Sequence, residues 1–399
     1  MRPLMKDHLV SFDDTETAFK SRTAEDLKRA YLLFKLISFN WLVKMSPPFV
    51  QFALWAHLPV KGIIRRTIFY QFCGGENISD CSNTIKNLAK YSIGTILDYS
   101  VEGKESEDDF NSALNETLST ITRAKGDVNI PFCVFKPTGF IRFDVLEKKN
   151  SGDKLSATEE KEFADFKLRI GKICEYAFEN KVPIFIDAEQ SWIQNSVDEL
   201  AREMMMKFNR EEIIIYNTIQ MYRTGRLDYL NDCIKHARNN GYKAGLKIVR
   251  GAYMEKERER SKILNIPSPI QPDKIATDND YNASLKTVIE NIDVLSLCCG
   301  SHNEASNLLL VELMEKNKLP NNHTNIWFSQ LYGMSDHISY NLAKKGYNVC
   351  KYVPYGPVEG VLPYLIRRAQ ENTSVAGQTG RELSLIEEEL KRRKNNKQR

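Results

Sequence analysis

The stretch "AGLKIVRG", residues 244–251, is a short apolar run that ends in a cation and a glycine. Its apolar residues are continuous and do not alternate with polar ones, which is typical of a strand buried on both faces of a parallel sheet. Seven further runs of this kind follow the same pattern, at 93–100, 130–137, 182–189, 212–220, 293–302, 324–331 and 347–356. Eight such runs indicate an α/β protein.

The segments between these runs are typical of helices. Residues 159–181 are amphipathic and end in a basic residue, and residues 224–243 carry asparagine and glycine where a helix should stop. Eight β/α units over about 280 residues predict a (β/α)₈ barrel, and a doubly wound open sheet is the alternative. We therefore expect an N-terminal helical region at 1–88, a barrel domain at 89–380 and a charged tail at 381–399.

Composition excludes several classes of protein. The net charge of +4 is too small to indicate nucleic-acid binding, and the basic end at 391–399 is typical of a solvated tail. The eight cysteines form no CxxC pair and the six histidines no HExxH, so we expect neither zinc nor another metal. Free thiols within apolar runs favour a reducing compartment.

Two aromatic-rich N-terminal stretches, at 29–45 and 47–70, are the nearest approach to a membrane segment. No run reaches 18 uninterrupted apolar residues, so we expect no transmembrane span. The stretches are interpreted either as helices packed on the main domain or as an amphipathic surface that touches a membrane.

The apolar runs give way to polar residues towards their ends, where a barrel carries its active site. These residues are Asp98, Lys136, Asp187, Glu189, Gln220, Lys247, Arg250, His302, Gln330 and Tyr352. Each alone is compatible with a solvated strand end or a salt bridge, but a barrel needs no polar residue at every strand exit. Lysine and arginine dominate, which suits a carboxylate, a phosphate or a cofactor with a pyrophosphate.

Several reaction classes lack their motif in this chain. It has no serine–histidine–acid order of a hydrolase, no paired acids of a glycosidase and no GxGxxG of a dinucleotide fold. A different pattern occurs in "VLPYLIRRAQEN", residues 361–372, which as a helix places Tyr364, Arg367, Arg368 and Glu371 on one face. By itself this face fits a surface salt-bridge network as well as a ligand site.

Five motifs together resemble the proline dehydrogenase family: "FIDAEQ", "KIVRGAYM", "GSHN", "QLYGM" and "KYVPYGPVEGVLPYLIRRAQEN". They resemble its stand-alone, eukaryotic-type branch more than the catalytic domain of the bifunctional bacterial enzymes, over roughly residues 90–376. The resemblance implies a distorted (β/α)₈ barrel that binds FAD without a Rossmann fold. It also implies that the final helix caps the barrel mouth.

The resemblance also implies roles for individual residues. Asp187 and Lys247 are the expected catalytic residues. Substrate binding is expected from Lys136, Leu331, Tyr352, Tyr364, Arg367 and Arg368. Flavin contacts are expected from Ala188, Gln220, Lys247, Arg250, Gly251, Ala252, Tyr253, Ser301, His302 and Glu371. Bifunctional members have arginine at the position of Lys247 and tryptophan at that of Met254, so we expect altered flavin contacts and potential here.

The implied reaction is the oxidation of L-proline to 1-pyrroline-5-carboxylate, by hydride transfer to FAD and then electron transfer to a quinone. Because quinones reside in membranes, this favours a membrane contact for the N-terminal stretches. A separate 1-pyrroline-5-carboxylate dehydrogenase is expected to act next. Hydroxyproline oxidation is the nearest alternative, although Tyr352 should crowd a ring hydroxyl. A lyase or aldolase using Lys136 or Lys247 as a Schiff base, and a non-catalytic scaffold for membrane or RNA, are the others.

The first residues contain early acids and do not form an arginine-rich, acid-poor transit peptide. We therefore expect a bacterial cytoplasmic protein, or one peripheral on the inner membrane. The mitochondrial inner membrane is the alternative if the source is eukaryotic.

Overall fold

Eight parallel strands close into a barrel in chain order. The computed structural model describes residues 10–39, 41, 60–101, 103, 105–374 and 378–397. The strands are β1 (Ile93–Tyr99), β2 (Phe132–Phe135), β3 (Ile184–Ile186), β4 (Ile215–Gln220), β5 (Ala244–Val249), β6 (Leu295–Gly300), β7 (Ile326–Leu331) and β8 (Val349–Tyr355). Each lies inside one of the eight predicted runs. The (β/α)₈ prediction is confirmed and the open sheet is excluded.

Helices precede and separate the strands. Within the described residues they are α1 (Thr15–Ala18), α2 (Ala24–Ile37), α3 (Val60–Ile64), α4 (Tyr70–Phe72), α5 (Ser82–Ala89), α6 (Glu107–Ala124), α7 (Phe143–Ser151), α8 (Ala157–Glu179), α9 (Ser191–Phe208), α10 (Arg226–Asn240), α11 (Met254–Leu264), α12 (Lys274–Glu290), α13 (Glu304–Lys316), α14 (Asp336–Lys344), α15 (Leu362–Ser374) and α16 (Gln378–Lys397). A π-helical turn, Arg65–Phe69, joins α3 to α4.

The chain divides into two compact units. One comprises Gly103–Ser329, and the other comprises the described residues that precede Gly103 together with those from Gln330 onward. The domain boundaries expected from the sequence, after residues 88 and 380, stay a prediction.

The unit Gly103–Ser329 has an aromatic cluster among its strands. The rings of Phe132 and Phe185 are stacked with centroids 4.6 Å apart. Tyr216 and Trp327 present their edges to Phe132, at 5.4 Å and 5.2 Å. Offset and edge-to-face contacts of this kind stabilise a core beyond the area that they bury. They hold β2, β3, β4 and β7 together below the residues that follow the strand ends.

The other unit has a core built from helices near both ends of the chain. Leu27 and Phe34 of α2 are buried in one cluster with Leu365 of α15 and with Leu385 and Ile386 of α16. The expected solvated tail at 391–399 is helical in its described residues, as the end of α16, and there Lys391 and Lys394 are exposed while Arg392 and Arg393 are partly buried. Arg392 and Arg393 of that end are paired with Glu389, which is fully buried.

The predicted helical N-terminal region is confirmed for its described residues. Residue 40 and residues 42–59, which include most of the second aromatic stretch, lie outside the description. Residues 29–37 of the first stretch belong to α2, and there Leu32 and Leu36 are 59% and 57% exposed. No helix of the described chain has both the length and the apolar character that crossing a bilayer requires.

Candidate active site

Two lysines, one following β2 and one within β5, meet an aspartate that follows β3. Asp187 follows β3 directly, and its backbone N–H donates to the carbonyl of Phe135 over 3.0 Å. One carboxylate oxygen accepts a hydrogen bond from Lys247 Nζ, and the other lies 3.9 Å from Lys136 Nζ. Two cations on one carboxylate leave a net positive charge. This arrangement favours an anionic or electron-rich ligand.

Lys247 is held in a defined direction inside the barrel. It lies on β5 opposite Thr218 of β4 and Cys298 of β6. The residue is only 5% exposed, and its Nζ lies 5.2 Å from the ring centroid of Phe185. A buried ammonium needs a partner, and the Asp187 carboxylate and the Phe185 ring face provide two. The sequence-based placement of Lys136, Asp187 and Lys247 in one site is thus supported by their contacts.

The loop after β3 is fixed by the strand ends on either side. Gln220, the last residue of β4, donates from Nε2 to the carbonyl of Glu189 over 2.6 Å. The Glu189 carboxylate accepts hydrogen bonds from the backbone N–H and the hydroxyl of Thr138, at 3.0 and 2.7 Å. Ala188, an expected flavin contact, lies between these fixed points. Sequence reasoning placed Glu189 at a strand end but gave it no role.

Arg250 ties the end of β5 to three other segments. Its Nε donates to Asp278 Oδ1 at 2.8 Å, and its Nη1 and Nη2 donate to the hydroxyls of Ser301 and Ser306 at 3.0 and 2.9 Å. The guanidinium also lies 4.3 Å from the ring centroid of Tyr281. Three of its five N–H groups are therefore engaged by the protein.

The carboxylate that anchors Arg250 is strongly stabilised. Burial opposes the ionisation of Asp278, but hydrogen bonds from Lys274 and Arg250 outweigh burial and hold its pKa below the ordinary value. Asp278 on α12 and Ser306 on α13 were missed by sequence analysis. Neither follows an apolar run, and only the folded chain brings them to Arg250.

The backbone after β5 requires glycine at position 251. Gly251 has φ +137°, and a Cβ there would lie 2.3 Å from the Tyr222 ring. Gly251 and Ala252 are exposed, and Tyr253, which is buried, precedes the first turn of α11. An open backbone at the start of a helix is a favourable place for an anion.

This donor set fits a flavin nucleotide, which is anionic and rich in hydrogen-bond acceptors. Lys247, Arg250 and Gln220 supply N–H donors, and Gly251 leaves room for close approach to the backbone. Ser301 is buried, and its backbone N–H donates to the carbonyl of Ser329 over 3.1 Å. His302 follows it and is partly buried. The fit rests on this chemistry and on the space at Gly251.

Apart from Lys136, the expected substrate residues lie in the other unit. Leu331 ends β7, and Tyr352 lies within β8 and is 7% exposed. Tyr364 lies on α15 and is 4% exposed, with the guanidinium carbon of Arg368 5.3 Å from its ring centroid. Arg367 and Arg368 are partly buried. The helix expected at 361–372 is thus present, whereas the Glu371 side chain lies outside the description. That α15 caps the barrel mouth stays a prediction.

Comparison with known proteins agrees with the motifs. The sequence model of the family described as "Proline dehydrogenase" matches residues 81–381. "Proline dehydrogenase 1, mitochondrial" of Dictyostelium discoideum is 33% identical, and the match covers 95% of this chain and 74% of that protein. "Hydroxyproline dehydrogenase" of Xenopus laevis is 30% identical, with coverage of 96% and 90%.

The fold has a counterpart among solved structures. Proline utilization A (PutA) from Bdellovibrio bacteriovorus superimposes with a TM-score of 0.72 at 20% identity. The match covers 92% of this chain but only 38% of that one, so it supports the fold alone. The family match extends over well over half of the residues, and the Dictyostelium relative matches almost the full length. This chain therefore belongs to the proline dehydrogenase family.

Proposed function

We propose that this chain is a flavin-dependent proline dehydrogenase that oxidises L-proline to 1-pyrroline-5-carboxylate with FAD as its cofactor. The observation that carries the proposal is the ion network of Lys136, Asp187 and Lys247 in a chain that belongs to this family. The network supplies oriented positive charge at the strand ends, which is where a barrel enzyme acts.

FAD, when bound, supplies the acceptor for a hydride that leaves the substrate carbon beside the ring nitrogen. Lys247, Gln220 and Arg250 would hold the cofactor through their remaining N–H donors. The exposed backbone of Gly251 and Ala252 lets it approach closely. Asp187 accepts a hydrogen bond from the Lys247 ammonium and holds it in one direction, so it acts as an organising carboxylate.

The substrate is recognised as an amino acid with an apolar ring. Arg367 and Arg368 provide two guanidinium groups for one carboxylate, which is a strong, charge-assisted arrangement. Leu331, Tyr352 and Tyr364 pack against the five-membered ring and exclude water. The ring nitrogen must lose its proton before the hydride leaves, so we expect the reduction rate with proline to rise between about pH 6 and 8.5.

An absorbance spectrum followed by anaerobic addition of L-proline tests this function. We expect flavin bands that bleach with L-proline and much less with 4-hydroxyproline. Arg367→Met should raise the proline concentration for half-maximal bleaching roughly 100-fold, because a charge-assisted contact is lost. Arg29→Met, which removes an exposed arginine from α2, is the matched control and should behave like the wild type.

Two outcomes would contradict the proposal. Stronger bleaching by hydroxyproline than by proline would favour hydroxyproline oxidation as the function. This second candidate is supported by the 30% identity to the Xenopus laevis relative. A colourless protein that does not take up FAD would overturn the flavin assignment. A colourless protein trapped by borohydride with substrate would instead indicate Schiff-base chemistry at a lysine.

Electrons from the reduced flavin pass, in our proposal, to a quinone in a membrane, and a separate dehydrogenase oxidises the product. The exposed apolar residues Leu32, Leu36, Phe39 and Trp41 support an N-terminal membrane contact, because they resemble the apolar face of an interfacial helix. The mitochondrial name of the Dictyostelium relative favours the mitochondrial alternative for location over the bacterial one.

A further inference from the structure

A buried lysine holds the loop between β7 and α14. Lys351 on β8 is fully buried, and its Nζ donates to the carbonyl of Met334 at 2.6 Å and to Asp336 Oδ1 at 2.6 Å. A longer bond of 3.4 Å reaches the carbonyl of Leu331. A lysine ammonium has three N–H donors, and all three are used here. Lys351 therefore has no donor left for a substrate.

Other polar groups bind the same loop, Leu331–Ser335. The backbone N–H of Tyr332 donates to the carbonyl of Tyr352 over 2.8 Å. Gln71 donates from Nε2 to the carbonyl of Gly333 over 2.6 Å, and the Ser335 N–H donates to Glu382. The loop is thus held from the N-terminal helices, from β8 and from α16.

The loop needs these contacts because its backbone is strained. Gly333 has φ +77°, and a Cβ there would lie 2.0 Å from the carbonyl oxygen of Gln71. Ser335, which is not glycine, has φ +50°. Glycine adopts this left-handed backbone without strain, whereas Ser335 is strained there and persists only where its surroundings enforce it.

Lys351 lies in a cluster of buried and partly buried charges that comprises Asp336, Arg22 and the nearby Glu382. Asp336 pairs with Lys351 at 2.6 Å and with Arg22 at 3.4 Å. Burial opposes the ionisation of Asp336, but attraction to Lys351 and Arg22 outweighs it and keeps the pKa below the ordinary value. The two cations that pair with Asp336 differ in their other hydrogen bonds. Lys351 also binds loop carbonyls, whereas the bonds from Arg22 in this group go to Asp336.

Lys351 precedes Tyr352 on the same strand. Successive side chains of a strand point to opposite faces, so the two residues act on opposite sides of β8. Lys351 fixes the carbonyl of Leu331, while the Tyr352 carbonyl fixes the next residue of the loop. The spacing between Leu331 and Tyr352 is therefore set by this strand and by the lysine behind it.

We propose that Lys351 is a positioning residue for substrate specificity, which fixes Leu331 against Tyr352 and so sets the width of the pocket for the substrate ring. This inference rests on the proposed function, which assigns both residues to the wall around proline. A narrow, fixed wall admits the unsubstituted ring and rejects a ring hydroxyl. A loosened wall binds proline more weakly and discriminates less.

Two matched double variants test this inference. Lys351→Met with Asp336→Asn removes the loop tether and one charge of each sign. Arg22→Met with Asp336→Asn removes the same charges from the same cluster but keeps the bonds from Lys351 to the loop carbonyls. Each variant leaves one cation beside a neutral amide, so their folding penalties should be similar and the tether is the main difference.

Flavin reduction by proline and by 4-hydroxyproline is the first readout. We expect the Lys351 double variant to need about tenfold more proline for half-maximal reduction and to lose at least tenfold of its preference for proline. Flavin content and the limiting reduction rate should stay within about twofold of the wild type. The Arg22 double variant should keep the wild-type preference.

Hydrogen exchange of the Tyr332 and Ser335 amides is the second readout, and it needs no substrate. Exchange should accelerate in the Lys351 double variant only. Two double variants with the same substrate preference, or the same exchange rates, would overturn the inference and leave the proposed function standing. A flavin-containing wild type that neither proline nor hydroxyproline bleaches would overturn both.

Discussion

Asp187 is the counter-charge for two lysines, so its substitution should lower the stability of the folded protein. Lys247, which donates to it, is 5% exposed, so Asp187→Asn leaves a buried ammonium without its counter-charge. We expect the free energy of unfolding to fall by about 3 kcal/mol, which is the range for breaking a buried ion pair. Urea unfolding of the wild type and the variant at pH 7 measures this.

The control is Asp228→Asn at an exposed position in the first turn of α10. It removes the same charge from a helix terminus, where the effect should stay within about 0.5 kcal/mol. Equal effects of the two substitutions would show that the Asp187–Lys247 pair contributes no more than a surface charge.

Sequence reasoning places residues correctly at strand ends when they end an apolar run, while their roles stay predictions. Asp187 and Gln220 were predicted in this way, because the end of a buried strand is a local signal. The partners of Arg250 have no such signal, since Asp278 and Ser306 come from two separate helices. Lys351 did have one, because a lone cation inside the apolar run "YNVCKYVPYG" must find a partner when it is buried.

At the scale of elements, α16 shows how a charged segment becomes ordered. Glu389 is fully buried and accepts hydrogen bonds from Arg392, Arg393 and Thr15. Arg393 also donates to the carbonyls of Phe19 and Arg22 at 2.8 Å each. The prediction of a solvated tail at 391–399 did not foresee that this end continues a helix whose Leu385 and Ile386, about two turns earlier, are buried. Those residues dock the helix, and the charges then pair.

The Glu389 carboxylate should make the docking of α16 dependent on pH. Burial raises its pKa, but hydrogen bonds from Arg392 and Arg393 outweigh burial, so the folded-state pKa lies below the ordinary 4.5. A lowered carboxyl pKa contributes stability that is complete above the ordinary value and is lost as pH falls below it. We expect Glu389→Gln to lower the free energy of unfolding by about 2 kcal/mol at pH 7. This difference between the wild type and the variant should become smaller below about pH 4.5.

Urea unfolding at several pH values between 7 and 3 checks this, with Glu388→Gln as the control. Glu388 is the neighbouring residue on the exposed side of α16. The control should follow the wild-type profile. A Glu389→Gln difference that stays constant across the whole pH range would contradict the assignment of the acid-sensitive group.

For the whole molecule, the periodicity of the sequence was enough to predict the architecture. Eight continuous apolar runs with helical segments between them predicted buried parallel strands, and their number favoured the barrel over the open sheet. The two-unit organisation was not foreseen. Contacts such as the hydrogen bond from Thr15 to Glu389 join residues from opposite ends of the chain, and no local sequence pattern predicts them.

The proposed membrane contact involves the surface of the whole protein and can be tested on the full chain. We expect the full chain to co-sediment with vesicles of phosphatidylcholine containing about one-fifth cardiolipin. Leu36→Asp, at a 57% exposed position on α2, should lower the bound fraction about tenfold, since burying one leucine contributes about 1.5–3 kcal/mol. Leu168→Asp, at a 71% exposed position on α8, is the matched control. No binding, or equal losses in both variants, would contradict an N-terminal contact.

The packing of α2 against α16 has a consequence for synthesis of the protein. The apolar face of α2, with Leu27 and Phe34, leaves the ribosome long before its partners Leu385 and Ile386. At roughly 5–20 residues per second, this face waits some tens of seconds for the last helix. During that time it is an exposed apolar surface on the growing chain, and a chaperone that binds amphipathic helices would recognise it.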